Sequence, residues 1–433
     1  MGQCPGCGEW NTLIEERAPA ATRDAGRVRV PDGGAEPIVL RDVRSESAER
    51  LQTGVPELDR VLGGGLVPGS LVLLGGAPGI GKSTLTGMAL GNLVTAGRGV
   101  LYVSGEESAA QIRLRHERLQ TEACDALGVP VLAETELPAI LGALERLRPA
   151  VCVIDSIQTL YDPALSGAPG SVGQVREVAA QILRACKPLG TSVVLVGHVT
   201  KEGSIAGPRV LEHLVDAVLQ FEGERERTYR TLRAQKNRFG STNETGVFEM
   251  RAGGLACVLD PSARFVGEAT GKPGSVVLAA MEGSRPLLVE VQALVHPSEL
   301  EPPRRVVSGI DRNRLALVLA VLGRHAKIGT GTADVFVNVV GGIRVDEPGA
   351  DLAVALAVAS AARGVPLGTR ERPLACFGEL GLTGELRSVG HAERRLEEAT
   401  KFGLGPVLHP GEQRTLGQAL RAALGGAATA AAS

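Results

Sequence analysis

Gly75-Gly-Ala-Pro-Gly-Ile-Gly-Lys-Ser-Thr84 stands directly after the apolar run Leu71-Val-Leu-Leu74 and before the apolar-periodic segment Leu85 to Leu93. A strand, a glycine-rich turn and a helix start follow one another, and Gly76 to Ser83 fit G-x-x-x-x-G-K-[ST]. Backbone N–H groups that must converge on a triphosphate need unusual backbone angles and no side chains in the way, which Gly76, Gly79 and Gly81 supply. The stretch therefore reads as a phosphate-binding loop made of Gly76, Ala77, Pro78, Gly79, Ile80, Gly81, Lys82, Ser83 and Thr84. Lys82 brings a point charge to the β- and γ-phosphates, Ser83 a hydroxyl ligand for Mg²⁺, and the helix N-terminus its partial positive charge. ATP and Mg²⁺ are the expected ligands.

Outward from the loop, apolar strands alternate with helical periods. Gly99 to Glu107 is a buried strand ending in carboxylates, and Ala150-Val-Cys-Val-Ile-Asp155 is a second apolar run with an acid at its end. Helices are expected over Ala109–Leu119 and Leu137–Leu147, with strands at Val129–Leu132 and Thr191–His198. Such alternation makes an α/β fold with a mainly parallel sheet, whose ligands bind outside the strand C-terminal ends. Asp155 is the natural Walker B acid, holding magnesium through its water shell. Glu106 or Glu107 is the candidate base that orients the attacking water.

The whole chain sets bounds on this reading. Its 433 residues exceed what one core usually serves, so two large units and a small appendage are expected. Apolar residues at 44% and charged residues at 22% are ordinary for a globular protein, and a formal net charge of −2 does not announce a nucleic-acid role. Five of the seven cysteines (Cys124, Cys152, Cys186, Cys257 and Cys376) are scattered singly among apolar neighbours, which predicts buried thiols in a reducing compartment. The N-terminus has no apolar h-region, and the longest apolar run, Leu352 to Ala362, is too short to span a bilayer. A soluble, cytoplasmic protein without membrane contacts is expected.

Cys4-Pro-Gly-Cys7 is a knuckle that suits two thiolates on one Zn²⁺, but structural zinc takes four ligands and no second pair lies nearby. Zinc at Cys4 and Cys7 would need ligands upstream of Met1 or from a partner chain. Arg225, Arg227, Arg230, Arg233, Lys236 and Arg238 face one acid in the same segment, Glu226. That basic run reads as a solvated strand face, a contact for nucleic-acid phosphates, or a group serving a neighbour's ATP.

Thr53-Gly-Val-Pro-Glu-Leu-Asp59, the phosphate loop, Tyr102-Val-Ser-Gly-Glu-Glu-Ser108, Val153-Ile-Asp-Ser-Ile-Gln-Thr159, Gly197-His-Val-Thr-Lys201 and Lys236-Asn-Arg-Phe-Gly240 together closely resemble the RadA (Sms) family of bacterial DNA repair proteins. The likeness extends to Glu282-Gly-Ser-Arg-Pro-Leu-Leu-Val-Glu-Val-Gln-Ala293 and so covers nearly the whole chain. It implies a RecA-like P-loop ATPase that forms a hexameric ring, binds single-stranded and branched DNA, works beside a RecA-type recombinase, and drives branch migration or strand extension in homologous recombination. By position Glu106 resembles the family's water-orienting glutamate. Lys236, Asn237, Arg238, Phe239 and Gly240 form the family's signature and would serve a neighbour's nucleotide or DNA. Lys201 and Arg209, with the loop from Gly167 to Gly173, would line the ring channel. Family members usually carry a four-cysteine zinc finger, of which only Cys4 and Cys7 stand here.

The stretch Gly378-Glu-Leu-Gly-Leu-Thr-Gly-Glu-Leu-Arg387 resembles the C-terminal domain of Lon proteases, of ribosomal S5-like fold. Lon-type hydrolysis needs a serine nucleophile beside a lysine base. The aligned positions hold Gly349 and Glu393, so protease chemistry is not expected. The expected division is residues 1–16 as a partial zinc finger, 17–44 as a linker, 45–262 as the RecA-like ATPase, 263–423 as the Lon-like domain and 424–433 as a tail. The alternative functional class is a RecA-related ATP-binding assembly or signalling module not coupled to DNA.

Overall fold

The structure is a computed structural model, and it describes residues 39, 49–197, 210–223, 229–267 and 269–430. Helix α1 (Pro56–Leu62) ends at Gly63 in the left-handed region, φ 83°, and leads to β1 (Leu71–Gly76). There follow α2 (Lys82–Thr95), β2 (Val100–Ser104), α3 (Ala109–His116), β3 (Val131–Ala133), α4 (Leu137–Leu147), β4 (Val151–Asp155), α5 (Val172–Leu189), β5 (Ser192–Val196) and α6 (Val210–Leu214). Strands β6 (Ala217–Glu222), β7 (Tyr229–Asn237), β8 (Thr245–Arg251) and β9 (Gly254–Cys257) complete a nine-stranded sheet in the order β3-β2-β4-β5-β1-β6-β7-β8-β9.

The pairings from β3 to β6 are parallel, and those from β6 to β9 are antiparallel. The mainly parallel sheet read from the sequence is thus present, extended by a meander that the apolar-run pattern did not resolve. Both faces of β1 are covered: Val72 and Leu74 pack with Leu85 and Leu90 of α2, whereas Leu71 and Leu73 pack with Val178 and Ile182 of α5. A strand buried on both faces reads as an unbroken apolar run, which is why β1 announces itself so clearly.

Beyond α7 (Pro261–Val266) lies a second sheet, ordered β12-β13-β11-β10-β14, from β10 (Ser275–Glu282), β11 (Arg285–Pro297), β12 (Arg305–Ser308), β13 (Ala333–Val339) and β14 (Ala375–Cys376). It carries α8 (Arg312–Ala326) and α9 (Asp351–Arg363), followed by α10 (Ala392–Lys401) and α11 (Leu416–Ala430). The apolar run from Leu352 is α9, buried from Asp351 through Ser360. A helix apolar all round belongs inside a core. Among the described residues no helix is long and apolar enough to cross a membrane.

The two sheets are joined through the tip of the β10–β11 hairpin. Arg285 Nη1 donates to Glu57 of α1 at 2.7 Å, and Arg233 Nη2 of β7 donates to Glu282 at 2.9 Å. Glu57 is fully buried and also accepts from the Val247 N–H at 2.8 Å. A buried carboxylate is tolerable only when paired and hydrogen-bonded, so this contact fixes the first sheet against the second.

Candidate nucleotide site

Strand β1 delivers the glycine-rich loop to the C-terminal edge of the sheet, where β2 and β4 also end. Gly79 and Gly81 have φ of 74° and 115°, the left-handed region that a side chain resists. At Gly76 a Cβ would stand 2.7 Å from the Phe221 carbonyl oxygen, so the loop's close approach to β6 requires glycine. Ile80 is buried and anchors the loop, Ala77, Pro78 and Gly79 are exposed, and Lys82, Ser83 and Thr84 open α2.

Lys82 Nζ donates to the carbonyls of Gly76 at 2.8 Å and Ala77 at 3.1 Å. Burial lowers its pKa, and the carboxylates of Asp155 and Glu106 act in the opposite direction. Ser83 Oγ donates to Asp155 Oδ2 at 2.6 Å, and Tyr102 OH donates to the same oxygen at 2.6 Å. Arg115 Nη2 donates to Tyr102 OH at 3.0 Å, and Arg115 Nη1 donates to Glu107 Oε2 at 2.5 Å. Glu106 accepts from Ser156 Oγ at 2.5 Å and is exposed.

Lys82, Ser83, Glu106, Glu107, Arg115 and Asp155 line one cleft of about 490 Å³, together with Ser104 and Met250. A hydroxyl and a carboxylate in contact, beside a phosphate loop, suit Mg²⁺, which keeps most of its waters and takes few protein oxygens. Among the described residues no cluster of three or more His, Cys, Asp or Glu could hold a metal by itself.

The structure thus brings Gly76 through Thr84, Glu106 and Asp155 together. Both glutamates line the cleft, Glu107 engaged by Arg115 and Glu106 accepting from Ser156. Tyr102, Arg115 and Met250 were not assigned from sequence. Tyr102 lies inside the apolar run of β2 and Arg115 follows the acid pair in the chain, but only the adjacency of β2 and β4 and the helical turn of α3 place them at Asp155.

In the basic segment several of the described cations are engaged within the chain. Arg230 is buried, 3% exposed. Arg233 is paired with Glu282, and Arg238 Nη1 donates to Asp216 at 3.0 Å. Lys236 Nζ donates to the carbonyls of Glu212 and Val215, both at 2.6 Å. Burial lowers the Lys236 pKa, and Arg238 lowers it further. Asn237 Nδ2 reaches the Val61 and Leu62 carbonyls at 3.3 and 3.4 Å, and its Oδ1 accepts from the Phe239 N–H at 2.9 Å. Phe239 is 38% exposed, and a Cβ at Gly240 would stand 3.5 Å from Gly63 Cα. Arg233, Lys236 and Arg238 are therefore met by acids and carbonyls from other elements. Cys4, Cys7, Lys201, Arg209, Arg225 and Arg227 lie outside the described residues. Cys124, Cys152, Cys186 and Cys376 are buried thiols as expected, whereas Cys257 is half-buried.

In the second sheet Gly349 is buried and Glu393 is exposed on α10. The residue facing Gly349 is Arg395 instead: a Cβ on Gly349 would stand 3.0 Å from Arg395 Nη1 and 3.2 Å from Glu347 Oε2. Arg395 Nη1 and Nη2 donate to the two oxygens of Glu347 at 2.8 and 2.5 Å. The space beside Gly349 is filled by this ion pair, a neighbour that the sequence reading did not single out.

The family model of the AAA domain matches residues 35–204. "DNA repair protein RadA" of Bacillus subtilis is 48% identical over 415 residues, covering 95% of this chain and 89% of the relative. The protein of the same description from Listeria monocytogenes is 48% identical over 413 residues, 95% of this chain and 88% of the relative. A solved KaiC-like protein of Pyrococcus horikoshii aligns with a TM-score of 0.40 at 20% identity, over 48% of this chain and 99% of its own.

Proposed function

Because the chain belongs to the RadA family of DNA repair proteins, we propose that its cleft hydrolyses ATP in a cycle coupled to single-stranded and branched DNA. At the coarser level it is a P-loop ATPase of DNA repair and recombination. The observation that carries the finer reading is the convergence of Lys82, Ser83, Asp155 and Glu106 on one cleft at the mouth of the phosphate loop.

In this mechanism Lys82 leaves the carbonyls of Gly76 and Ala77 to meet the β- and γ-phosphates, exchanging neutral acceptors for charged ones. Loop N–H groups between Gly76 and Thr84 cradle the phosphates, while Ser83 and Asp155 are the residues that would hold Mg²⁺. Bound there, magnesium would supply charge neutralisation to the phosphates. Glu106, open to the cleft, orients the attacking water and accepts its proton. Glu107 serves the structure through Arg115.

Lys236, Asn237, Arg238, Phe239 and Gly240 form the coupling segment. In the single chain Lys236 and Arg238 clasp the end of α6, and service to a neighbour's nucleotide or to DNA requires those contacts to be exchanged. Lys201 and Arg209 belong to the segment assigned to the DNA channel. Phosphate contacts rather than base stacking carry the binding, since aromatic residues make up only 3% of the chain. The working form is a homo-hexamer in the cytoplasm beside a RecA-type recombinase, promoting branch migration or strand extension as a helicase-like motor. Residues 45–262 are the motor and 263–423 a scaffold without protease chemistry. Cys4 and Cys7 are half of a zinc site.

Steady-state ATP hydrolysis by the wild type and by Lys82→Ala tests the cleft assignment. Loss of hydrolysis with an unchanged far-UV spectrum is expected. Retained hydrolysis by the folded variant would remove the site from this cleft.

A further inference from the structure

The carboxylate assigned to magnesium is held by more than the phosphate loop. Tyr102 is completely buried on β2, and its hydroxyl donates to Asp155 Oδ2 at 2.6 Å, the oxygen that also takes the Ser83 hydroxyl. The same phenol accepts from Arg115 Nη2 at 3.0 Å, and Arg115 is tethered through Nη1 to Glu107 at 2.5 Å. An unbroken chain, Glu107–Arg115–Tyr102–Asp155–Ser83, therefore runs from α3 across the end of the sheet to the first turn of α2.

A buried tyrosine hydroxyl needs a partner, and this one has two with opposite roles, accepting from a cation and donating to an anion. The Arg115 charge polarises the phenol O–H and strengthens its hydrogen bond to the carboxylate. With a carboxylate as its acceptor and a guanidinium as its donor, the phenol has its O–H committed to Asp155. Two donors on Oδ2 fix the carboxylate plane and leave Oδ1 to meet the water shell of an incoming cation. Hydrogen bonds of this kind outside the coordination sphere typically change metal affinity by roughly 10–100-fold when removed.

We propose that Tyr102, held by Arg115, is a positioning residue that sets Asp155 for the magnesium that accompanies the nucleotide. This rests on reading the cleft as a magnesium–nucleotide site. It assigns Arg115 and Glu107 to the orientation of Asp155 and leaves Glu106 alone for the water.

The test is binding rather than turnover. Full-length wild type, Tyr102→Phe and Arg115→Met are titrated with a fluorescent ADP analogue, first in EDTA and then at increasing Mg²⁺. Tyr102→Phe removes one oxygen and keeps the ring, so the core stays filled. The proposal expects the Mg²⁺ half-saturation of both variants to rise roughly ten-fold with metal-free ADP affinity unchanged, and the double variant to shift no further than the larger single. Wild-type Mg²⁺ dependence in Tyr102→Phe overturns it, as does an equal loss of affinity with and without metal, the mark of a general structural defect. A shift in Tyr102→Phe but none in Arg115→Met overturns the role of Arg115. Failure of the wild type to bind the magnesium–nucleotide would overturn the reading of the cleft itself, a separate outcome.

Discussion

Glu347→Gln should destabilise the second sheet's core by about 3 kcal/mol, through the charge it leaves behind. Arg395 is 2% exposed, and besides Glu347 it donates to the carbonyls of Ala279 at 2.7 Å and Gly390 at 3.0 Å. Its Cζ lies 5.3 Å from the centre of the Phe377 ring. The amide keeps the size of Glu347 and an oxygen for the Met281 N–H, which Oε1 accepts at 2.7 Å. It cannot offset the guanidinium, and an arginine cannot shed its charge to escape burial. Breaking one partner of a buried pair costs about 3–5 kcal/mol. The retained oxygen, the Phe377 face and the partial exposure of Glu347, 19%, put the expected loss at the lower end of that range. Equilibrium unfolding in urea followed by far-UV circular dichroism measures it. Glu347→Gln with Arg395→Met should recover much of the loss, because an apolar replacement of both partners leaves no orphaned charge. A loss below about 1 kcal/mol for Glu347→Gln would refute the reasoning, since that is the worth of a solvent-screened pair.

Glu106→Gln should lower hydrolysis by roughly 10²–10⁴-fold while magnesium–nucleotide binding persists, and Glu107→Gln should cost far less; the reverse ranking in single-turnover assays would exchange their roles. Burial raises the Glu282 carboxyl above its ordinary 4.5, with Arg233 and Thr245 drawing it back. The folded state then binds the proton more tightly than the unfolded chain, so this group's contribution is fully present below about pH 4.5 and is lost as pH rises through the folded value. Glu282→Gln should flatten that part of the stability profile in urea midpoints measured from acid to neutral pH, and an unchanged slope would contradict the assignment. Lys236→Ala removes the donor shared by the Glu212 and Val215 carbonyls. Amide exchange over 211–216 should quicken and DNA stimulation of hydrolysis should disappear while basal hydrolysis remains; normal coupling would leave the signature lysine a purely structural role.

The phosphate loop was legible because its chemistry is contiguous: one strand, one turn and one helix start hold all nine residues. Asp155 and Glu106 were legible because each ends an apolar strand, and parallel strands in a doubly wound sheet all end at one edge. Tyr102 was hidden because it reads as one more apolar strand position, and its partner lies 53 residues away on a neighbouring strand. The charge balance of the basic segment was hidden for the same reason. Arg233 meets Glu282 from 49 residues away, and Arg238 meets Asp216 from 22. Local composition counts only acids nearby in the chain. The Arg395–Glu347 pair beside Gly349 was hidden too, because Arg395, two positions beyond Glu393 on α10, turns inward only once the helix packs.

The measurement that tests the central claim most directly is ATP hydrolysis by the purified full-length protein with and without single-stranded DNA, across a salt series, with oligomer size followed in parallel. The account predicts stimulation by DNA that weakens as salt rises, as phosphate contacts and counterion release require, together with a ring-sized species. Hydrolysis indifferent to DNA at every salt concentration would contradict it and favour an assembly or signalling module.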